Sequence, residues 1–196
     1  MRFPLPVAAL LAIVMIAAPA AAEVADFLGV PGPIAFDGKS YRLAWTSQPS
    51  QNYTKQEYVP AGQRVESYDQ MLLVELVTGG VTVGEAVGAQ VDMLKKRKAS
   101  DPLVNFEVLQ NNATKEVVLD FILSGKDSKG EAIVEWNAYR YAPYSDASGK
   151  SGVLLFAISQ RAYGDENATA FLRGLKQLRP GQRAALAKAD LPKPTR

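Results

Sequence analysis

The amino-acid sequence predicts a single α+β domain, in which one antiparallel sheet of about six or seven strands has helices packed on both faces. Short segments rich in β-branched and aromatic residues alternate between apolar and polar positions, as strands do. Longer segments repeat apolar residues at helical spacing. Short polar turns join the later strands, which is typical of an antiparallel meander.

The first strands are predicted over residues 41–46, 52–59 and 71–77. The Pro/Gly-rich stretch 30–38 before them favours turns and an irregular entry. Residues 52–59 carry Lys and Glu, which suit an exposed edge strand. Residues 71–77 are apolar on both faces apart from one glutamate, so this strand is expected in the core.

The clearest helix start in the chain is a capping box, with Thr82 as N-cap and Glu85 reaching back from the third helical position. Apolar residues then recur at helical spacing: Val83, Val87, Val91 and Leu94. The cations of residues 95–98 suit the negative end of the helix dipole.

The second half of the chain predicts four strands and then helix. The strands are expected over residues 105–109, 117–123, 133–141 and 153–158. The last of them is apolar on both faces and should be a central strand. A helix begins at Gly164-Asp165, Pro180-Gly181 should break it, and a further short helix is expected over residues 182–189.

The N-terminus predicts export. An apolar run, Val7–Ala18, follows a basic residue, and Ala20-Ala21-Ala22 forms an A-x-A site. Residues 1–22 are therefore interpreted as a secretory signal peptide cleaved after Ala22, which predicts a periplasmic or secreted bacterial protein. Residues 23–190 are expected to form one domain, and residues 191–196 a frayed tail.

The composition excludes several chemistries. The chain has no His and no Cys. This rules out a Ser-His-Asp triad, a cysteine nucleophile, a His/Cys zinc site and disulfides. The formal net charge of +2 gives no electrostatic case for nucleic acid. No cofactor or metal is predicted.

One candidate surface lies around the loop after the second strand. Glu57, Glu66 and Asp69 could supply paired carboxylates, but a connection between two strands is the favoured interpretation. Loops on a rigid scaffold are common binding surfaces, so Glu57, Tyr58 and Tyr68 are kept as a candidate partner surface.

A second candidate lies on the strand over residues 133–141. Tyr139 and Tyr141 stand at alternate positions beside Arg140, with Tyr144 close behind. On an open face they would offer aromatic platforms for a sugar, a lipid head group or a peptide. The alternative is that a helix covers them.

The candidate loop carries a family resemblance. Glu57-Tyr58-Val59-Pro60, followed by Gly62-Gln63, Tyr68 and Met71, resembles a motif of uncharacterised bacterial exported proteins, with Tyr68 where that pattern has Trp. The element order over residues 40–180 is similar to that of the PsbP-like superfamily. This resemblance implies a helix-covered antiparallel sandwich and an accessory, partner-binding role.

Three functions follow as hypotheses. The first is a non-catalytic exported domain that recognises a protein or an envelope component. The second is a small-molecule binder that holds a glycan or lipid head group on the face formed by Tyr139, Arg140 and Tyr141. The third, ranked last, is a hydrolase that needs two carboxylates converging in a pocket.

Overall fold

The computed structural model describes residues 24–127 and 129–195, so the predicted signal peptide lies outside the described residues. Within these residues, eight strands and two helices form the fold. The strands are β1 (Ile34–Phe36), β2 (Lys39–Ser50), β3 (Tyr53–Pro60), β4 (Gln70–Thr78), β5 (Asn105–Asn111), β6 (Glu116–Lys126), β7 (Ala132–Ser145) and β8 (Ser151–Tyr163). The helices are α1 (Val83–Arg97) and α2 (Asp165–Lys188). Neither helix is long and apolar enough to cross a membrane, which holds for the described residues.

All eight strands belong to one antiparallel sheet, in the order β1-β2-β3-β4-β8-β7-β6-β5. The chain runs as a meander from β1 to β4, crosses through α1 to the far edge, and returns as a second meander from β5 to β8. β8 pairs with both β4 and β7 and closes the gap between the meanders. This confirms that the segment apolar on both faces is a central strand.

The predicted sandwich of six or seven strands between layers of helices is wrong. The described part of the chain is mostly sheet, and its two helices cover only part of the eight strands. Three local interpretations caused the error. The Pro/Gly-rich entry contains β1, which pairs with β2. Residues 53–60 form an internal strand between β2 and β4, where an edge was expected.

The third error concerns the end of the chain. Pro180 was expected to end a helix, yet α2 continues through it to Lys188. Leu175 and Leu186 are both buried in the same apolar cluster, one on each side of Pro180. Packing of both halves against the sheet outweighs the loss of one backbone hydrogen bond.

The two faces of the sheet have separate cores. Leu72, Trp136 and Phe156 lie in the cluster that α2 covers. Met71 and Leu155 directly precede Leu72 and Phe156 in the sequence, so they point to the opposite face and lie in the cluster that α1 covers. α1 packs against β5, β6, β7 and β8. Because α1 packs mainly over these four strands, a groove can form beside the helix, over β3 and β4.

The termini of the helices are held by specific contacts. The capping box is confirmed, since the Thr82 hydroxyl accepts from the Glu85 backbone and the Glu85 carboxylate accepts from the Thr82 backbone. After α2, the predicted frayed tail runs back to the start of the domain, where the Thr195 N–H donates to the Leu28 carbonyl at 2.9 Å.

Candidate functional site

A groove of about 690 Å³ lies between α1 and the sheet, next to β3 and β4. Its volume is within the range typical of small-molecule sites. The sheet provides the floor, and α1 provides one wall through Glu85, Ala86, Ala89 and Gln90. The residues from the strands are Tyr53, Lys55, Glu75, Val77, Tyr139, Tyr141, Val153 and Leu155.

Glu75 is the central polar group of this groove. It stands on β4 among apolar residues that pack into the core, and its side chain is only 13% exposed. The Tyr53 hydroxyl donates to Glu75 Oε2 at 2.8 Å. Lys55 Nζ lies 3.9 Å from Glu75 Oε1 and 2.9 Å from Glu57 Oε1. One ammonium group thus stands between two carboxylates.

The electrostatics of the groove are dominated by this carboxylate. Burial raises the pKa of Glu75 above its ordinary value, against the opposing effects of Lys55 and of the hydrogen bond from Tyr53. Burial also raises the pKa values of Tyr53, Tyr139 and Tyr141, and in all three the negative charge of Glu75 is the next cause. The aromatic residues around the groove therefore sit in a negative potential.

Tyr139 and Tyr141 both line the groove, as neighbours on one face of β7, but that face is not open: both pack in the core cluster that α1 covers, and Tyr141 is only 4% exposed. Their rings pack: Tyr139 meets Phe121 edge-to-face at 4.9 Å between centroids and lies 6.4 Å from Tyr141. Neither hydroxyl makes a hydrogen bond to another residue within 24–127 and 129–195, whereas the Tyr53 hydroxyl is engaged by Glu75. Their hydroxyls are the two donors of the groove lining that a bound molecule would have to reach.

Arg140 does not join these tyrosines, because alternation along β7 sends it to the α2 face. Its guanidinium pairs with Glu116 through two hydrogen bonds of 3.0 and 3.1 Å. It also donates to the carbonyls of Leu186 and Ala189 at the end of α2. Arg140 therefore anchors a helix terminus.

Two other candidate residues also lie on the α2 side. Tyr58 is fully buried, and its hydroxyl donates to the Val30 carbonyl at 2.6 Å, so it holds the entry segment on the sheet. Tyr144 is partly buried and packs against the α2-side core. Neither residue lines the groove.

Tyr68 lies on the α1 face but serves a different cluster. Its hydroxyl donates to Glu135 at 2.6 Å, and the Arg161 guanidinium stacks 4.2 Å from the centre of its ring. Arg161 also pairs with Glu135, and Tyr163 exchanges hydrogen bonds with the Tyr68 backbone. These contacts fasten the loop before β4. Glu66, in the same loop, is exposed and pairs with Arg64.

The strands place in the groove three polar residues that sequence analysis did not select: Tyr53, Lys55 and Glu75. Glu75 carries a signal that could have been used, since it is the one charged residue in the otherwise apolar run from Met71 to Val77. A lone carboxylate on a buried strand face must find a partner or shift its pKa. Lys55 is that partner, because it stands opposite Glu75 in the β3–β4 register.

A second cavity of about 560 Å³ adjoins the groove at Val81 and opens at the end of the strands. Glu116 lines it, but this carboxylate is held by Arg140. The N-terminus of α1 also borders it and is closed by its own capping box. Within the described residues, no group of three or more acidic side chains is arranged to hold a metal ion.

The chain belongs to an uncharacterised protein family, whose model matches residues 28–191. This match spans both meanders, both helices and every residue that lines the groove. No curated protein matches the chain at a significant level.

Proposed function

We propose that this member of the family is an exported, non-catalytic binding protein that holds a small molecule of the cell envelope in the groove beside α1. One observation carries the proposal: the cavity combines an apolar floor with two tyrosine hydroxyls that have no partner among the described residues, and with the Glu75 carboxylate, which lies 3.9 Å from the Lys55 ammonium group. Small-molecule sites typically have such a lining, with few polar groups that fix orientation. The N-terminal apolar run and A-x-A site support export.

An accessory role remains compatible with this proposal. The resemblance of the Glu57–Pro60 segment to bacterial exported proteins favours recognition of an envelope component. In the structure, this segment serves the fold and the groove together. Tyr58 ties down the entry segment, while Glu57 pairs with Lys55, the groove residue opposite Glu75. A protein partner would then bind at the rim of the groove and distinguish the liganded protein from the unliganded one.

A carboxylate hydrolase is the second candidate, because Glu57 and Glu75 converge on Lys55 and the pKa of Glu75 is raised. We favour binding, since Glu57 does not line the groove. Glu85 does line it, but its carboxylate accepts from both the backbone and the hydroxyl of Thr82. Glu75 is then the one groove carboxylate left to act on a bound molecule, whereas acid–base hydrolysis requires two.

Ala89→Trp tests the proposal. Ala89 is exposed on α1 and lines the groove, so an indole there fills the cavity without entering the core. The matched control is Met93→Trp, an exposed position on the same helix that does not line the groove. Native mass spectrometry of protein purified gently from its own host should show a small molecule with the wild type and Met93→Trp but not with Ala89→Trp.

Two results would count against a binding protein. Retention of the same molecule by Ala89→Trp would place it elsewhere on the chain. Turnover of the retained molecule, abolished by Glu75→Gln, would establish the hydrolase instead. A crosslinked partner captured equally by all three proteins, with no bound molecule, would leave only the accessory role.

A further inference from the structure

We propose that the groove selects an organic cation, namely a primary or quaternary ammonium ion that carries a compact apolar group. Its nitrogen lies beside Glu75, and its apolar group packs against Val153 and Leu155. This inference rests on the proposed function and specifies the chemistry of its ligand. Three independent features of the groove lead to it.

The first feature is the sign of the charge. The acidic and basic residues that line the groove from α1 and the strands are Lys55, Glu75 and Glu85. Glu57 does not line the groove but pairs with Lys55 at 2.9 Å. When all four are ionised, three carboxylates and one ammonium group lie in or next to the groove. Carboxylates held in a partly desolvated cleft focus a negative potential, which attracts cations and repels anions. Burial is the main cause of the raised pKa values of Tyr53, Tyr139 and Tyr141, and the negative charge of Glu75 is the next cause in each.

The second feature is the position of Lys55. Its ammonium group is 2.9 Å from Glu57 but 3.9 Å from Glu75, so the near partner is the carboxylate outside the groove. Glu75 Oε1 therefore has only this long ion-pair contact, and the Glu75 side chain is 13% exposed. An incoming ammonium group can approach this oxygen while Lys55 stays with Glu57. Lys55 thus acts as a weak internal competitor for the ligand.

The third feature is the aromatic and apolar lining. Tyr53, Tyr139 and Tyr141 surround the carboxylate, and aromatic rings attract organic cations through their quadrupoles. The floor beside them is formed by Val77, Val153 and Leu155. A hydrated metal ion would gain nothing from this surface, whereas an amine with an apolar body would bury it there.

The test compares three probes that share a benzyl body: benzyltrimethylammonium, benzyl alcohol and phenylacetate. Each is titrated into the full protein and followed by NMR chemical shifts of α1 and of β4. We expect the cation to bind at least about tenfold more tightly than the alcohol, and the anion to bind most weakly. Ala89→Trp should abolish the shifts caused by the cation.

Two substitutions separate charge recognition from simple burial. Glu75→Gln keeps an acceptor for Tyr53 and should lower the affinity for the cation about tenfold, with little change for the alcohol. Lys55→Gln removes the competing ammonium and should raise the affinity for the cation several-fold. The control is Glu66→Gln, which removes an exposed carboxylate in the loop before β4 and should change the affinity for neither the cation nor the alcohol. Thermal unfolding of each variant confirms that it is folded.

The outcomes distinguish this inference from the proposed function. Tighter binding of phenylacetate, or weaker binding of the cation by Lys55→Gln, would overturn the cation assignment. If all three probes fail in the groove while another molecule is held there and lost in Ala89→Trp, the ligand class is wrong and the binding function stands. If no molecule depends on Ala89, both fall.

Discussion

The indole N–H of Trp136 donates to the carboxylate of Asp120 at 2.9 Å, in the interior of the α2 face, where neither side chain is exposed to solvent. Two cations from α2 reach the same carboxylate: Arg179 at 2.8 Å and Arg183 at 3.2 Å. A single buried aspartate therefore joins β6, β7 and α2. Since these contacts lie on either side of Pro180, they also help to hold the helix on one axis.

Asp120→Asn should lower the free energy of unfolding by about 3 kcal/mol, because removing one partner of a buried ion pair leaves the other partners uncompensated. The matched control is Glu107→Gln, which removes the exposed partner of Arg183 and should cost less than about 1 kcal/mol. Urea unfolding followed by circular dichroism measures both. Equal stability of the two variants would show that Asp120 does not anchor α2.

A second prediction separates stability from binding on adjacent residues of β7. Arg140→Met removes the contacts to Glu116 and to the end of α2, and should cost about 2 kcal/mol of stability. Tyr139→Phe removes a hydroxyl with no partner among the described residues, and should cost under about 0.5 kcal/mol.

Ligand binding should show the reverse order. Tyr139→Phe should weaken the binding of benzyltrimethylammonium, while Arg140→Met should leave it unchanged, because Arg140 lies on the other face of the sheet. Unfolding midpoints and NMR titrations are measured on the same preparations. A loss of binding in well-folded Arg140→Met would contradict the assignment of the groove to the α1 face.

The prediction of these contacts from sequence has a physical limit. Local signals gave correct results: the capping box at Thr82 and Glu85 depends on residues three apart. Alternation along β7 also suffices to place Arg140 on the face opposite Tyr139, although the two were grouped as one candidate site. Period-two patterns specify which residues share a face, so Tyr139 and Tyr141 belong together and Arg140 belongs to the opposite face.

What local signals could not supply is the pairing between distant elements. β1 has only three residues and exists because it pairs with β2. The continuity of α2 depends on contacts that Leu175 and Leu186 make with the sheet. The groove needs Lys55 and Glu75 side by side, which follows from the β3–β4 register. These features are set by tertiary packing, which overrides local propensity.

A third prediction concerns acid. Asp101, after α1, is buried, and burial alone would raise its pKa. Hydrogen bonds from the side chain and backbone of Ser124, from Arg97 and from the Leu103 backbone outweigh that effect and hold the pKa below its ordinary value. A carboxyl with a lower pKa in the folded state stabilises the fold above its unfolded pKa of about 3.9.

The contribution of Asp101 should therefore be lost as the pH falls from about 3.9 through the lower pKa of the folded state. Asp101→Asn should cost about 2 kcal/mol at pH 7 and should flatten the loss of stability in that acid range. Asp92→Asn, an exposed aspartate on α1, is the control and should change neither quantity appreciably. Urea midpoints measured from pH 7 to acid test this, and parallel curves for wild type and Asp101→Asn would refute it.

The last prediction compares two glycines. A Cβ at Gly152 would overlap the carbonyl oxygen of Val77, because β8 passes close to β4 at this point. Gly152→Ala should therefore force the central strands apart and cost about 2 kcal/mol or more.

Gly88, on the exposed side of α1, has open space where its Cβ would be. Gly88→Ala should stabilise the protein by about 0.5–1 kcal/mol, since alanine favours a helix interior more than glycine does. Opposite shifts of the unfolding midpoint are expected, and a neutral Gly152→Ala would show that β4 and β8 are not as close as the structure places them.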